Sequence, residues 1–489
     1  MRQSQGLGSY ENVSEGYLRQ RKLRGNANAW LLWGLGVGAV ISGDFFGWNF
    51  GLLAGGFWGL AIATILMAIM YLCMVYSIAE LSTALPHAGG FYAFTRLAFG
   101  PLWGFVCGIA VAVQYVLTPA VIVVGLSNYV GPLLPSVPIY LIWLVAYAIF
   151  VVINIWGAEP TLYVGLFITL IAIIVLGIFY VSMLVSNIFR PELLFNIPAD
   201  VGQADWLPKG WAGVFAAIPY AIWFYLAIEE LPLAAEETRD VSRDMPAGLI
   251  WGMFTLIVLS VFTLILNSGV TGGAIAVGLA DAPLALGLEA YFGGGSTSTV
   301  VTTIALACGL LASFHTIVYA YGRILFALSR AGYLPRWISV TGKTHTPYRA
   351  LVLGAIAGLI CAVIINASSS EAVGAVLLNM AVFGAVISYV LVMLSYIKLK
   401  LSYPDLPRPY QSPLGIWGAA IGAALAILAL LACFSVPSYR PGIWGISIFL
   451  AVAVLYFLFH SKNHLVAQAP EEHIALISQT WEQHKKAKV

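Results

Sequence analysis

Charge is what this chain has least of. Only 9% of its 489 residues are Asp, Glu, Lys or Arg, against about 25% in an ordinary soluble domain, while 61% are hydrophobic. That excludes a soluble globule and specifies an integral membrane protein. A net charge of +2 gives no basis for a nucleic-acid partner. The five cysteines, Cys73, Cys107, Cys308, Cys361 and Cys433, stand singly in apolar runs. With no CxxC and no HExxH, neither a disulfide framework nor a metal site is expected, and no cofactor. Ser42-Gly43-Asp44 superficially resembles a membrane aspartyl protease, but every other Asp falls in an expected loop or tail, so the catalytic pair is missing. Gly34, Gly36 and Gly38 follow no strand and form no nucleotide loop. The chain is not expected to be an enzyme. Its first 28 residues are polar and lack a signal-peptide core, so the first hydrophobic span is expected to remain as an anchor.

What is present is a series of long apolar runs. Their lengths predict an all-α protein of twelve membrane spans. These are Ala29–Gly51, Gly56–Ala79, Trp103–Ser127, Val137–Trp156, Thr161–Val185, Trp211–Ala234, Ala247–Asn267, Thr299–Ala327, Arg349–Ile365, Ala372–Ile397, Leu414–Val436 and Trp444–His460. Residues 1–28 and 461–489 are expected to be polar tails, the second, carrying Glu471 and Glu472, a solvated end, with an amphipathic helix on the membrane or a partner as the alternative. A cytoplasmic N-terminus leaves outside only Arg190, Lys209 and Arg440 of the 23 Lys and Arg. The positive-inside rule therefore places both termini in the cytoplasm of a cell-membrane protein surrounded by lipid.

Asp44 is a lone carboxylate within the first span. An acid at that depth costs about 2.5–3.5 kcal/mol even on the lenient insertion scale, and faces a partner or an aqueous cavity rather than lipid. The segment Ile41 to Gly47, rich in glycine with Ser42 beside it, reads as a break in the helix. The alternative reading makes Asp44 a simple cap for the half-helix that follows. The sixth span carries a matching interruption, Trp223-Phe224-Tyr225-Leu226-Ala227-Ile228-Glu229-Glu230 between Pro219 and Pro232. Corresponding breaks five helices apart point to a five-plus-five inverted repeat around one central site, residues 29–400, with two further helices in residues 401–460.

Three segments carry a resemblance. They are Glu80–Pro101 (ELSTALPHAGGFYAFTRLAFGP), Ala234–Gly248 (AAEETRDVSRDMPAG) and Gly322–Leu351 (GRILFALSRAGYLPRWISVTGKTHTPYRAL). Together they resemble the amino acid–polyamine–organocation family of secondary transporters. The resemblance implies the fold named for the bacterial leucine transporter and transport by alternating access. Arg96, Arg239, Arg243, Arg323 and Arg330 are expected to pair with Glu80, Glu236, Glu237, Asp240 and Asp244 on the inner face; ordinary surface solvation is the alternative.

The family's first-span motif, Ile-Gly-Ser-Gly-Ile-Phe, offers backbone amides to a substrate carboxylate. Here Ile41-Ser42-Gly43-Asp44-Phe45-Phe46 puts Asp44 in place of the last glycine. Two negative charges about 4 Å apart repel by about 4 kcal/mol at an effective dielectric near 20. The resemblance then implies an ammonium-bearing substrate without a carboxylate, and Gly38–Asn49 is similar to the ethanolamine-permease branch. An amino acid or polyamine carrier of the same family is the alternative. The substrate-binding residues are expected to be Ser42, Gly43, Asp44, Phe45, Phe224, Tyr225, Ala227 and Glu229. Phe46, Trp48 and Trp223 belong to the same aromatic group, a cage for a cation. Glu229 and His315 are the candidates for coupling to protons or ions; for His315 the alternative is plain packing. Gln114 and Asn379 read as hydroxyl partners for the substrate or as interhelix hydrogen bonds. Where relatives tend to have glycine this chain has Ala227, so a shorter break is expected there. The family's lysine in the fifth span has no counterpart.

Overall fold

A helix is the one open-ended structure that satisfies its own backbone in lipid, and this chain is built of them. The computed structural model describes residues 2–5, 8–293, 295–367, 372–473 and 476. Strands β1 (Arg2–Gln5) and β2 (Gly8–Glu11) and a short helix α1 (Glu15–Arg19) precede the first span. That span runs as α2 (Ala29–Val40) and α3 (Ser42–Phe45), then turns at residues 46–49. α4 (Phe50–Ala84) completes it and, after a kink at Gly56 (φ +71), forms the second span. α5 (Gly90–Phe99) is a short connector. α6 (Pro101–Val130), α7 (Ile139–Trp156) and α8 (Ala158–Val185) are spans three to five. The sixth is α9 (Gly210–Ala221) followed by 3-10 turns at Ile222–Phe224 and Ile228–Glu237. α10 (Val241–Ser268) is the seventh. The long connection after it holds two short helices that sequence patterning did not indicate, α11 (Gly273–Leu279) and α12 (Pro283–Phe292). α13 (Ser296–Arg330), α14 (Tyr348–Ala367), α15 (Ala372–Ser402), α16 (Gly415–Ser435) and α17 (Arg440–Phe459) follow, then β3 (Leu465–Val466). Eleven described helices are long and apolar enough to cross a membrane, and Ala29–Phe45 is a shorter apolar one. The twelve expected spans are therefore present.

The packing repeats with inverted sense. The second span packs on the sixth (α4 on α9) as the seventh packs on the first (α10 on α2). The third packs on the tenth (α6 on α15) as the eighth packs on the fifth (α13 on α8). Exchanging spans one to five with six to ten maps one set of contacts onto the other, the five-plus-five repeat expected from the paired breaks. α16 and α17 lie outside it, against α4, α6, α9 and α15.

The termini depart from expectation. β2 pairs antiparallel with β1 and parallel with β3, so the two end segments share one face. The solvated reading of the final tail is overturned where it is described. Glu471 and Glu472 are buried. Glu472 takes the Arg96 guanidinium at 2.7 Å and the Tyr333 hydroxyl at 2.8 Å. Arg330 is shared between Glu471 and Glu236, and Arg323 grips Glu237 at 2.8 Å. Burial opposes charge on Arg96, but Glu472, Tyr333 and Tyr10 outweigh it and its pKa rises. Of the expected pairs, Arg323, Arg330 and Arg239 find Glu237, Glu236 and Asp244. Glu80 instead holds Lys400 and Arg408, and Arg96 belongs to Glu472. A buried charge needs a partner more than a surface one does, so the arginines are claimed by whichever acids are buried with them.

Two outcomes test this packing. A Cβ at Gly43 would overlap the Trp223 carbonyl oxygen, whereas one at Gly177 would meet nothing within 4 Å. Gly43→Ala is expected to cost about 1–3 kcal/mol or more, read as a lower Tm in detergent; Gly177→Ala should leave Tm unchanged or slightly higher. Glu472→Gln leaves Arg96 without its counter-charge. It should cost roughly 3 kcal/mol, the lower end for one broken half of a buried pair, and an unchanged Tm would show that the pair contributes nothing.

Candidate functional site

The two broken spans meet at Gly43, whose missing side chain lets the Trp223 carbonyl press against its backbone. The breaks are built alike. In the first span Phe46 is extended (φ −162°) and Gly47 has φ +94°. Gly47 N–H donates to Asn49 Oδ1, two residues on, at 3.1 Å. In the sixth span Ala227 has φ +90° and its N–H donates to Glu229 Oε2, also two residues on, at 2.9 Å. Each left-handed residue is thus clasped by the next side chain but one. Ala227 breaks the helix despite its methyl group, at a cost of order 1–2 kcal/mol. The break is not abolished by the absence of glycine.

Asp44 lies just ahead of the first break, fully buried. It does not cap the following half-helix, whose N-cap is Asn49, itself without a side-chain capping hydrogen bond. Asp44 Oδ1 accepts from Thr263 Oγ1 at 2.9 Å, and Thr263 lies 2.7 Å from the Tyr180 hydroxyl. Oδ2 has no hydrogen-bond partner among the described residues. Three of the amides around it are occupied. Ser42 N–H donates to Ser313 Oγ (3.0 Å), Asp44 N–H to the Ile41 carbonyl (3.0 Å) and Phe46 N–H to the Ser42 carbonyl (3.1 Å). The helix is first interrupted at Ile41, between α2 and α3, where the dihedrals stay helical, and the chain becomes extended at Phe46.

Glu229 is buried and internally bonded. Besides clasping Ala227, its Oε1 accepts from Gln114 Nε2 at 2.7 Å and from the Tyr389 hydroxyl at 2.5 Å. Gln114 is therefore an interhelix hydrogen bond here. A belt of hydroxyls and rings joins the two acids. Tyr389 receives a hydrogen bond from Tyr71 (3.0 Å), the Tyr71 ring meets Tyr225 at 5.5 Å, and the Tyr225 hydroxyl lies 2.9 Å from Ser260 Oγ. Ser260 and Thr263 are three apart on α10 and so share a face. Phe224 stacks on Trp48 at 5.3 Å, and Trp48 Nε1 donates to the Asp44 carbonyl at 3.3 Å.

Ser42, Gly43, Asp44, Phe224, Tyr225, Ala227 and Glu229 thus fall into one connected region. Phe45 turns away, its ring resting on Gly309 of α13. His315 is also apart: Nε2 lies 2.8 Å from the Thr161 carbonyl and its ring packs on Phe150. No described hydrogen bond joins it to Asp44 or Glu229. The Asn379 side chain lies outside the described part. Sequence reading missed Tyr71, Tyr180, Ser260, Thr263 and Tyr389. The i, i+3 spacing of Ser260 and Thr263 was the one available signal. Glu230 is buried with neither carboxyl oxygen hydrogen-bonded.

Comparison with known proteins gives this geometry a context. The sequence profile of the family described as amino acid permease matches residues 28–459. An uncharacterized transporter of Rhizobium meliloti (strain 1021) is 31% identical over 339 residues, 66% of this chain and 69% of its own length. A branched-chain amino acid permease of Bacillus subtilis (strain 168) is 27% identical over 468 residues, covering 91% and 95%. A methylthioribose transporter of the same organism is 23% identical over 460 residues, covering 88% and 92%.

Removing the Tyr389 hydroxyl leaves Glu229 Oε1 and Tyr71 each one partner short. Tyr389→Phe is expected to cost about 1–3 kcal/mol, measured as a fall in Tm in detergent; an unchanged Tm would separate Tyr389 from the clasp at Glu229.

Proposed function

Because the chain belongs to the amino acid permease family, and so is a multi-pass membrane transporter of amino acids or related small organic molecules rather than an enzyme, we propose that it carries a small organic ammonium without a carboxylate, ethanolamine or a close relative. One observation carries this reading: among the described residues the buried Asp44 keeps an acceptor oxygen without a hydrogen-bond partner, while the amides of Ser42, Asp44 and Phe46 are already bonded. A carboxylate would find repulsion and few donors there. An ammonium would find a counter-charge, the Tyr225 and Thr263 hydroxyls, and the Phe224 and Trp48 rings nearby.

In this reading Ser42, Gly43, Asp44, Phe224 and Tyr225 form the site, and Ala227 and Glu229 hold its second wall. Glu229 is the group assigned to coupling, since substrate-driven movement of Tyr225 reaches it through Tyr71 and Tyr389. His315, bonded to Thr161, packs the scaffold. The face bearing the termini is read as cytoplasmic, a reading that the distribution of Lys and Arg supports. The first, second, sixth and seventh spans rock as one bundle against the rest. When the bundle opens that face, Arg330 and Arg323 must release Glu236 and Glu237 at the end of the sixth span. The membrane potential favours inward movement of a monocation by about 2.3 kcal/mol per 100 mV.

Radiolabelled uptake into proteoliposomes tests the reading, comparing the native chain with Asp44→Asn at matched density. Saturable ethanolamine uptake that falls at least tenfold in the variant is the expected result. Equal uptake by both removes Asp44 from the site. Uptake of leucine but not ethanolamine by the native protein favours the amino acid reading that the Bacillus subtilis branched-chain relative suggests.

A further inference from the structure

On the face opposite the termini, the linker between α11 and α12 is pinned to the break in the first span. Asn49 Nδ2 donates to the Val277 carbonyl at 2.8 Å and the Ala280 carbonyl at 2.9 Å, while Asn49 Oδ1 holds Gly47. One side chain therefore ties the end of α11 and the linker to the Gly47 amide, three residues beyond Asp44. The next linker residue is Asp281, and it is exposed.

Asp281 stands over a cavity of about 190 Å³ lined by Phe46, Gly125, Tyr129, Asp281, Ala282 and Leu310. At about 30 Å³ per water the space equals roughly six waters, enough for a small amine with part of its hydration. Its polar groups all suit a cation. Asp281 supplies a carboxylate, and the buried Tyr129 hydroxyl has no hydrogen-bond partner among the described residues. No Lys or Arg is among the lining residues. Phe46 lines this cavity, and its ring lies 6.1 Å from that of Trp223, whose carbonyl meets Gly43 beside Asp44. Phe46 is also the extended residue of the break, followed by Gly47, so small backbone rotations there move its ring.

We infer that this cavity is a staging site for an organic ammonium ion on its way to Asp44. Asp281 draws the cation in, the Tyr129 oxygen accepts an N–H, and the Phe46 face holds the charge before the ring swings aside. The inference rests on the amine reading only in its choice of probe, because an amino acid presents an ammonium group too.

The test uses the full chain in proteoliposomes, with radiolabelled ethanolamine and leucine as separate probes at low and physiological salt. Asp281→Asn is expected to raise KM about fivefold at low salt, the size of one exposed charge contact at about 4 Å. Vmax should be unchanged, and most of the salt dependence of the ethanolamine KM should vanish. Tyr129→Phe should raise KM by a smaller factor. An unchanged KM in both variants overturns the staging site. So does a fall in Vmax at constant KM, which would make Asp281 part of a moving linker and not a ligand. Native protein that carries leucine alone overturns the amine reading, and the Asp281 comparison is then read on leucine. Native protein that carries neither probe overturns both.

Discussion

A peptide group without a hydrogen bond is what a membrane interior tolerates least, at several kcal/mol each. Two spans of this protein stop being helical at depth, and the rest of the core is arranged to meet that demand. Asn49 and Glu229 answer it in the same way, each accepting from the left-handed residue two positions back. Each clasp has a second hand. Asn49 reaches the α11–α12 linker, and Glu229 holds Gln114 on α6 and Tyr389 on α15. Satisfying a break thereby ties it to distant elements. Disturbance of either break is transmitted to a connector on one side and to scaffold helices on the other.

The same demand explains the pocket's character. Among the described residues near the crossing, the second oxygen of Asp44 and the Trp223 indole N–H are left unmatched. The region is thus rich in acceptors and aromatic faces. That combination selects against anions without needing a wall to exclude them.

Much of this was legible in the sequence, for physical reasons that differ by residue. Span number follows from run length, because lipid thickness is fixed. Asp44 announced itself because a charge in an apolar run is rare. The repeat was visible because polar residues interrupted both the first and sixth spans. Other features were hidden. Ala227 takes a left-handed conformation that its identity does not suggest; the surrounding packing overrides local preference. Tyr71 and Tyr389 look like any membrane aromatics, and only tertiary placement turns them into a relay toward Glu229. The polar tail around Glu471 and Glu472 reads as solvated because its arginine partners lie 376 and 141 positions away in the chain, at Arg96 and Arg330.

That last separation bears on how the molecule is made. Val13 donates to Gln468, and Tyr10 shares Arg96 with Glu472. The β2 strand emerges early in synthesis, yet its β3 partner appears only after all twelve spans have left the ribosome. Until then Arg96 and Arg330 wait without two of their acids, and the face they line stays unfinished. Closure of that face is a late event in biogenesis. A chain stalled or trimmed before Glu471 would reach the membrane fully threaded but with this charge cluster incomplete.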